Sequence, residues 1–137
     1  VRELLKDGRV NPAACDNYAI GFASENGHLE VVRELLQDER VNPAAGNNYA
    51  IRLASWKGHL EVVRELLKDG RVNPAAGNNY AIATASEKGH LEVVKALLKD
   101  GRVNPAAGNN YAIRLASQNG HLKVVKLLKQ FISSRRV

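Results

Sequence analysis

The sequence predicts an all-α solenoid of stacked helix-turn-helix units with short projecting loops. Within each unit, apolar residues recur at helical spacing in two segments that a glycine separates. A 31-residue block also repeats without a slip: Asn-Pro-Ala-Ala begins at Asn11, Asn42, Asn73 and Asn104, and Gly-His at Gly27, Gly58, Gly89 and Gly120. A fixed period of this size indicates a linear array, in which each unit buries its apolar face against the next.

The first helix of a unit is predicted to begin after Asn17, whose side chain can cap the free amide groups, and to end at Gly27 in the left-handed conformation. Ile20, Ala23 and Ser24 share a face with Gly27, because the four lie at i, i+3, i+4 and i+7. Most of this face is small, which predicts a close approach of neighbouring helices.

The second helix is predicted to start at Leu29, with Val32, Leu35 and Leu36 on the same apolar face. In the segment that follows, Pro43 suits position i+1 of a tight turn. Each unit therefore consists of a helix, a short link, a second helix and a loop.

The stretch Gly-His-Leu-Glu-Val-Val, preceded by Ala-Ser and followed by a Val-Asn loop, resembles the ankyrin repeat over nearly the whole chain. The resemblance implies a concave groove that holds protein partners. The chain departs from the family in having Tyr-Ala-Ile where the first helix usually opens with Thr-Pro-Leu-His, so the expected threonine–histidine hydrogen bond is absent. Its units have 31 residues rather than about 33, which predicts shorter hairpin fingers.

One ankyrin-like domain is expected over 1–137, with a partial unit at 1–10, units at 11–41, 42–72 and 73–103, and a C-terminal unit with a cap at 104–137. Residues 1–5 match a second helix, so we expect either a fragment of a longer array or a chain whose first residues are missing. Lys129 takes a stacking column otherwise held by leucine, and Phe131 and Ile132 replace the residues that end earlier second helices. The last helix is therefore predicted to run on and cover the open end.

Composition excludes several protein classes. No apolar run approaches the roughly 18 residues of a membrane span, and the N-terminus has no apolar segment of the signal-peptide type. A single cysteine, Cys15, cannot form an internal disulfide. We therefore expect an intracellular protein of the cytoplasm or nucleus, and a monomer.

Charge is concentrated at one end of the chain. Residues 101–137 hold seven of the 20 basic residues and none of the 14 acidic ones. The seven are Arg102, Arg114, Lys123, Lys126, Lys129, Arg135 and Arg136. This end is either a solvated cap or a contact for an acidic protein, anionic lipid or nucleic acid. Nothing resembles a groove-reading helix or a base-stacking platform, which argues against nucleic acid.

The columns that vary among units indicate where binding occurs. Sixteen of the 25 columns from Asn11 to Leu35 are identical in all four units. Four of the variable ones lie at i, i+1, i+4 and i+5 on the first helix, opposite the stacking face, and should line up as a strip along the groove. The strip starts at Gly21 and includes Ala83, and its candidate groove residues are Phe22, Glu25, Asn26, Arg52, Leu53, Trp56, Lys57, Thr84, Glu87, Lys88, Arg114, Leu115, Gln118 and Asn119.

Trp56 is the predicted anchor of this strip, because it shares a column with two glutamates and a glutamine and is expected to be exposed beside Leu53 and Arg52. The alternative is that it only packs over Phe22 or Leu53. The expected polar and charged selectors are Arg52, Lys57, Lys88 and Arg114. The loop tips form a weaker set, consisting of Cys15, Asp16, Asn47, Asn78 and Asn109.

No catalytic, metal or cofactor site is predicted. The histidines occur once per unit, about 10 Å apart, which is too far to share a zinc ion, so each is expected to bond to backbone between helices. They are His28, His59, His90 and His121. Cys15 is interpreted as a substituted glycine rather than a reactive thiol, because no base or metal ligand is near it in sequence. A nucleophile–base set and a phosphate loop are also missing.

Three functional hypotheses follow. The leading one is a non-catalytic module that binds a partner protein or peptide in the concave groove. Near-identical units also suit a consensus-like designed array or a spacer solenoid with no dedicated ligand. The third is adhesion of the basic C-terminal end to an acidic protein or lipid surface.

Overall fold

The fold is all-helical in the computed structural model, which describes residues 2–8 and 10–135. Nine helices occur within these residues: α1 (Arg2–Lys6), α2 (Ala14–Glu25), α3 (Leu29–Leu36), α4 (Ala45–Lys57), α5 (Leu60–Leu67), α6 (Ala76–Lys88), α7 (Leu91–Leu98), α8 (Ala107–Gln118) and α9 (Leu122–Ser134). Even-numbered helices are the first helices of the four units, and α3, α5, α7 and α9 are the second helices. The predicted all-α solenoid is confirmed. Val1, where the predicted domain begins, and Arg136, one of the seven bases, lie outside the described residues.

A continuous core runs along the stack. First helices pack on one another in chain order, and the second helices form a second row. The first helices of the first three units each bury an isoleucine, and the second helices of all four units each bury a leucine at an equivalent position. At most 2% of each residue is exposed: Ile20, Ile51, Ile82, Leu35, Leu66, Leu97 and Leu128. Because each unit is covered by the next, helices of only eight residues such as α5 are stable here, although they would not be in isolation.

Each first helix opens with one left-handed turn. In α4 this turn consists of Gly46, Asn47 and Asn48, with φ of 66°, 56° and 62°. Glycine and asparagine adopt this conformation at the lowest steric cost, which explains the repeated Gly-Asn-Asn run. Cys15 has the same conformation, with φ of 57°, although it carries a Cβ. It therefore occupies a glycine position, as predicted.

The asparagine that ends this turn joins one unit to the next. Asn17 was expected to cap its own helix, and this prediction is wrong: α2 has no side-chain cap bond. Instead, Asn17 Oδ1 accepts the backbone N–H of Asn42 at 2.8 Å. The reason is that Asn17 lies inside the left-handed turn, not ahead of the helix. The same bond, at 2.7 Å, joins Asn48 to Asn73 and Asn79 to Asn104.

Histidine also joins neighbouring units, and the predicted bond to backbone is confirmed at His59 and His90. His90 Nε2 donates to the carbonyl oxygen of Trp56 at 3.0 Å, and His59 bonds to Glu25 in the same way. Since a carbonyl can only accept, Nε2 carries the proton. The His90 ring lies against Gly58, which has a φ of 80° and where an added Cβ would be 2.6 Å from Nδ1. Gly58 is therefore required both by its backbone conformation and by the close approach of the ring.

A third connection between units is an Asp–Arg clamp after α3, α5 and α7, which the sequence did not predict. Arg71 donates through Nε and Nη2 to Asp69 at 3.0 and 2.8 Å. Its Nη1 reaches the carbonyl of Val41 in the preceding unit at 2.9 Å. The pairs Asp38–Arg40 and Asp100–Arg102 make equivalent contacts. Each clamp thus fixes the end of one unit to the backbone of the one before.

Two local predictions about turns are confirmed. Gly27 follows α2 with a φ of 73°. The turn around Pro43 closes through the Ala45 N–H and the carbonyl of Asn42 at 3.2 Å. The connections between helices are short, in agreement with the expected short fingers.

The last helix continues past the point where the others end. Helix α9 has 13 residues, whereas α7 has eight. Phe131 packs against the core while Lys129 is exposed. The predicted extension is confirmed, and its role as a terminal cap remains a prediction.

Gly58→Ala should lower the free energy of unfolding by more than the roughly 1–2 kcal/mol of a left-handed non-glycine residue, because the new Cβ also meets the His90 ring. Chemical denaturation measures the change. Gly120→Ala controls for the backbone conformation, since Gly120 has a φ of 74° and no atom within 4 Å of an added Cβ. Gly70→Ala, in open space without a positive φ, should be nearly neutral. Equal losses at Gly58 and Gly120 would contradict the packing role of the ring.

The free energy of unfolding should decrease as the pH is lowered from about 4 to about 2. Hydrogen bonds from Arg40 lower the pKa of Asp38 from 3.8 to about 2, and those from Arg71 and Arg102 lower the pKa of Asp69 and Asp100. A carboxylate whose pKa is lower in the folded state than in the unfolded state stabilises the fold at a pH above the unfolded-state pKa. This contribution is lost as the pH falls and the carboxylate takes up a proton. Thermal unfolding across this range measures it. Asp69→Asn with Asp100→Asn should flatten the dependence, whereas Glu39→Gln, outside the clamps, should not; an unchanged slope in the double variant would count against the clamps.

Candidate binding surface

Exposure along the predicted strip differs by column. We number the columns of the strip one to four, for positions i, i+1, i+4 and i+5. The fourth column is exposed in all four units, at Asn26, Lys57, Lys88 and Asn119. The third column is half-buried at Glu25, Trp56 and Glu87 and exposed at Gln118. These two columns form the accessible part of the strip.

The second column, which holds Phe22, Leu53, Thr84 and Leu115, is more buried than expected. Thr84, a predicted groove residue, is only 6% exposed. It is shorter than the leucines of its column, Leu53 and Leu115, which are half-buried, and α6 packs between α4 and α8. Phe22 in the first unit is 46% exposed. Apolar surface in this column is therefore available mainly at the first unit.

Arg52 is held within the fold, although it was predicted to select partners. Its Nε donates to the carbonyl of Asn47 at 3.1 Å and its Nη2 to that of Gly46 at 3.2 Å. The guanidinium carbon lies 5.8 Å from the Tyr49 ring centroid and 5.2 Å from that of Tyr80. Planar stacking and two bonds to carbonyls fix this group internally.

Arg114 repeats the arrangement in the fourth unit. Its Nε and Nη2 donate to the carbonyls of Asn109 and Gly108 at 3.2 and 2.9 Å. The guanidinium carbon lies 5.2 Å from the Tyr111 ring centroid. Both arginines therefore support the left-handed turn of their own unit. Of the predicted selectors, Lys57, Lys88 and Arg114 are exposed, and Arg52 is half-buried.

Trp56 is half-buried rather than exposed, and Lys57 Nζ lies 4.8 Å from its ring centroid. Phe22, one of the two packing neighbours named in the alternative interpretation, instead stacks on Tyr18 with centroids 5.6 Å apart. The Trp56 ring thus offers part of its surface, beside a cation, in the accessible third column.

A column of tyrosines belongs to this surface and was missed by sequence reasoning. Tyr18 is 63% exposed, and its counterparts Tyr49, Tyr80 and Tyr111 are 40–46% exposed. These residues are identical in every unit and were therefore assigned to the scaffold. The signal that could have found them is an aromatic residue repeated one position before the Ala-Ile pair of each unit.

The first two units enclose a cavity of about 200 Å³ beside Gly21. Its walls include the rings of Tyr18, Phe22 and Tyr49 and the acidic side chains of Asp16 and Glu25. The column that holds Arg52 and Arg114 in other units holds glycine here. The sequence placed Gly21 at the start of the strip but gave no indication of a cavity, because the tyrosine positions were unknown.

The predicted loop tips are exposed, and they lie in the left-handed turns rather than in separate loops. The Asp16 carboxylate lies beside the next turn, with Oδ2 3.9 Å from the Cβ position of Gly46. In the second unit, the amide nitrogen of Asn47 lies beside Gly77 in the same manner, at 4.0 Å. Asp16 of the first unit therefore places a negative charge at the position where Asn47 of the second unit presents an amide donor.

The basic C-terminal end is less available than its composition suggests. Arg102 is paired with Asp100, and Arg114 is bonded to carbonyls. The guanidinium of Arg135 lies 5.3 Å from the ring centroid of Phe131. The remaining described bases of this end are exposed on α9, at Lys123, Lys126 and Lys129.

The described part of the chain holds neither a candidate metal site nor a candidate membrane span. Within it, no group of three or more histidine, cysteine, aspartate or glutamate side chains is placed to hold a metal ion. No helix there is long and apolar enough to cross a membrane.

Comparison with protein families identifies the repeat. A sequence profile for ankyrin repeats in three copies matches residues 1–76 and, in an overlapping alignment, residues 52–134. A comparison with curated proteins finds no match.

Proposed function

This chain belongs to the ankyrin repeat family, and we propose that it is a non-catalytic module that holds a partner protein or peptide on its concave strip. Ankyrin repeats generally serve in protein–protein interactions and are typically non-catalytic. The observation that carries the proposal is that two columns that vary among units, the third and fourth of the strip, lie on the accessible side of the first helices. The side chains that join the units are nearly the same throughout.

Trp56 and Lys57 are the proposed centre of binding. A half-buried tryptophan loses little conformational freedom on binding, and a partner can cover its remaining face. Lys57 supplies a cation at the ring, and Lys88 extends the positive charge to the next unit. The structure leads us to omit Arg52 and Arg114 as selectors, because their guanidinium groups are bonded within the fold.

Selection of displayed random peptides on the wild-type chain tests the proposal. Trp56→Ala with Lys57→Ala should weaken the selected peptides by roughly 30-fold, the loss of about 2 kcal/mol expected at a hot spot. Glu61→Ala with Arg64→Ala, an exposed ion pair on the second helix of the same unit, is the matched control and should change little. Thermal unfolding checks that each variant is folded.

The alternatives predict different outcomes of this experiment. A spacer or consensus-like scaffold would yield no peptide above background. Adhesion of the C-terminal end would yield acidic peptides that tolerate the Trp56 variant and are lost when Lys123, Lys126 and Lys129 are changed to glutamine. Either result would contradict binding centred on Trp56.

A further inference from the structure

We propose that the cavity beside Gly21 binds the guanidinium group of an arginine side chain from the partner. The proposal rests on the proposed function and adds the chemistry that one part of the strip recognises. The four units differ in whether the first column of the strip holds an arginine.

The second and fourth units show how this repeat holds a guanidinium group. Arg52 donates through Nε and Nη2 to two consecutive carbonyls of the left-handed turn, at 3.1 and 3.2 Å. Its guanidinium carbon lies 5.8 Å from the Tyr49 ring centroid and 5.2 Å from that of Tyr80. Arg114 makes the same two bonds and stacks on Tyr111. The turn and the tyrosines thus form a guanidinium-binding frame that the repeat builds twice with its own arginine.

The first unit has this frame without the arginine. Cys15, Asp16 and Asn17 have φ of 57°, 56° and 63°, close to the values of the corresponding turn in the second unit. The carbonyls of Cys15 and Asp16 therefore occupy the positions equivalent to those that hold Arg52. Tyr18 and Tyr49, the counterparts of the two tyrosines near Arg52, line the cavity of about 200 Å³, and Tyr18 also stacks on Phe22.

Charge in the first unit favours a cation more strongly than in the others. Asp16 replaces the neutral asparagine of the other turns, and Glu25 lines the same cavity. No basic side chain is among the described residues that line it. An arginine from outside would place its charge next to these carboxylates.

The shape of the site distinguishes arginine from lysine. Aromatic walls suit a planar cation that can stack, and paired carbonyls accept from two N–H groups of one guanidinium. An ammonium group lacks this fork and is more strongly hydrated. In the third unit, Ala83 is buried and the turn carries neutral Asn78, so the acidic frame belongs to the first unit.

Nuclear magnetic resonance titration with the peptide acetyl-Gly-Arg-Gly-amide tests the proposal on the whole chain. The backbone amides of Gly21, Gly46 and Tyr49 should shift and saturate. Peptides with lysine or citrulline in place of arginine should bind about tenfold more weakly, the loss expected for one charge-assisted hydrogen bond.

Variants identify the site. Asp16→Asn, which restores the turn of the other units, should weaken the arginine peptide about tenfold, and Gly21→Arg should abolish binding by filling the site from within the chain. Since an added Cβ at Gly21 would lie 2.9 Å from Tyr49 Cδ1, thermal unfolding must show that this variant is folded, and Asp16→Asn tests the site without that risk. Glu61→Gln, on an exposed part of α5, is the control and should leave binding unchanged.

The outcomes separate this proposal from the proposed function. Equal binding of arginine and lysine peptides, no saturating shift, or indifference to both Asp16→Asn and Gly21→Arg would overturn the arginine site. Peptides selected on the strip could still depend on Trp56 in that case. Conversely, loss of the Trp56 dependence with an intact arginine response would overturn only the binding centre proposed for the strip.

Discussion

Side chains of one unit supply hydrogen bonds to the backbone of its neighbour, and the rest of the structure depends on this exchange. The asparagine, histidine and arginine bonds span 25, 34 and 30 residues in the sequence. The asparagine and arginine bonds reach backbone in the connections between helices, and the histidine bond reaches a carbonyl at the C-terminal end of a helix. Helix bonding does not satisfy the polar groups at these places. A change in unit length would break all three together, which gives a physical reason for a register that never slips.

The candidate site consists of side chains on the first helices that take no part in the hydrogen bonds between units. Side chains that bond between units are fixed in type, and the outward columns of the first helices are not. Arg52 shows that the division is not complete, because a variable residue bonds to the turn of its own unit. Replacing that arginine by glycine in the first unit leaves the turn and the tyrosines in place, and thereby converts an internal contact into a cavity with acidic walls.

The helices, the core and the histidine bonds could be predicted from sequence because each follows from a local pattern or a single repeated spacing. The asparagine bond could not, since the same residue is a standard helix cap and only the left-handed turn directs it to the next unit. The Asp–Arg clamp was missed because its acceptor lies 30 residues away. The burial of Thr84 and the internal role of Arg52 depend on contacts between helices, which a column of variable residues does not reveal.

Hydrogen exchange at the backbone amide of Asn104 tests the central claim most directly. This amide lies in a connection between helices and donates a hydrogen bond to Asn79 Oδ1, with an N···O distance of 2.7 Å. We expect slow exchange in the wild-type chain. We also expect a selective loss of protection in Asn79→Gly, which keeps the positive φ of 64° but removes the acceptor, while the Asn73 amide stays protected. Fast exchange of Asn104 in the wild type, or protection that survives Asn79→Gly, would contradict it.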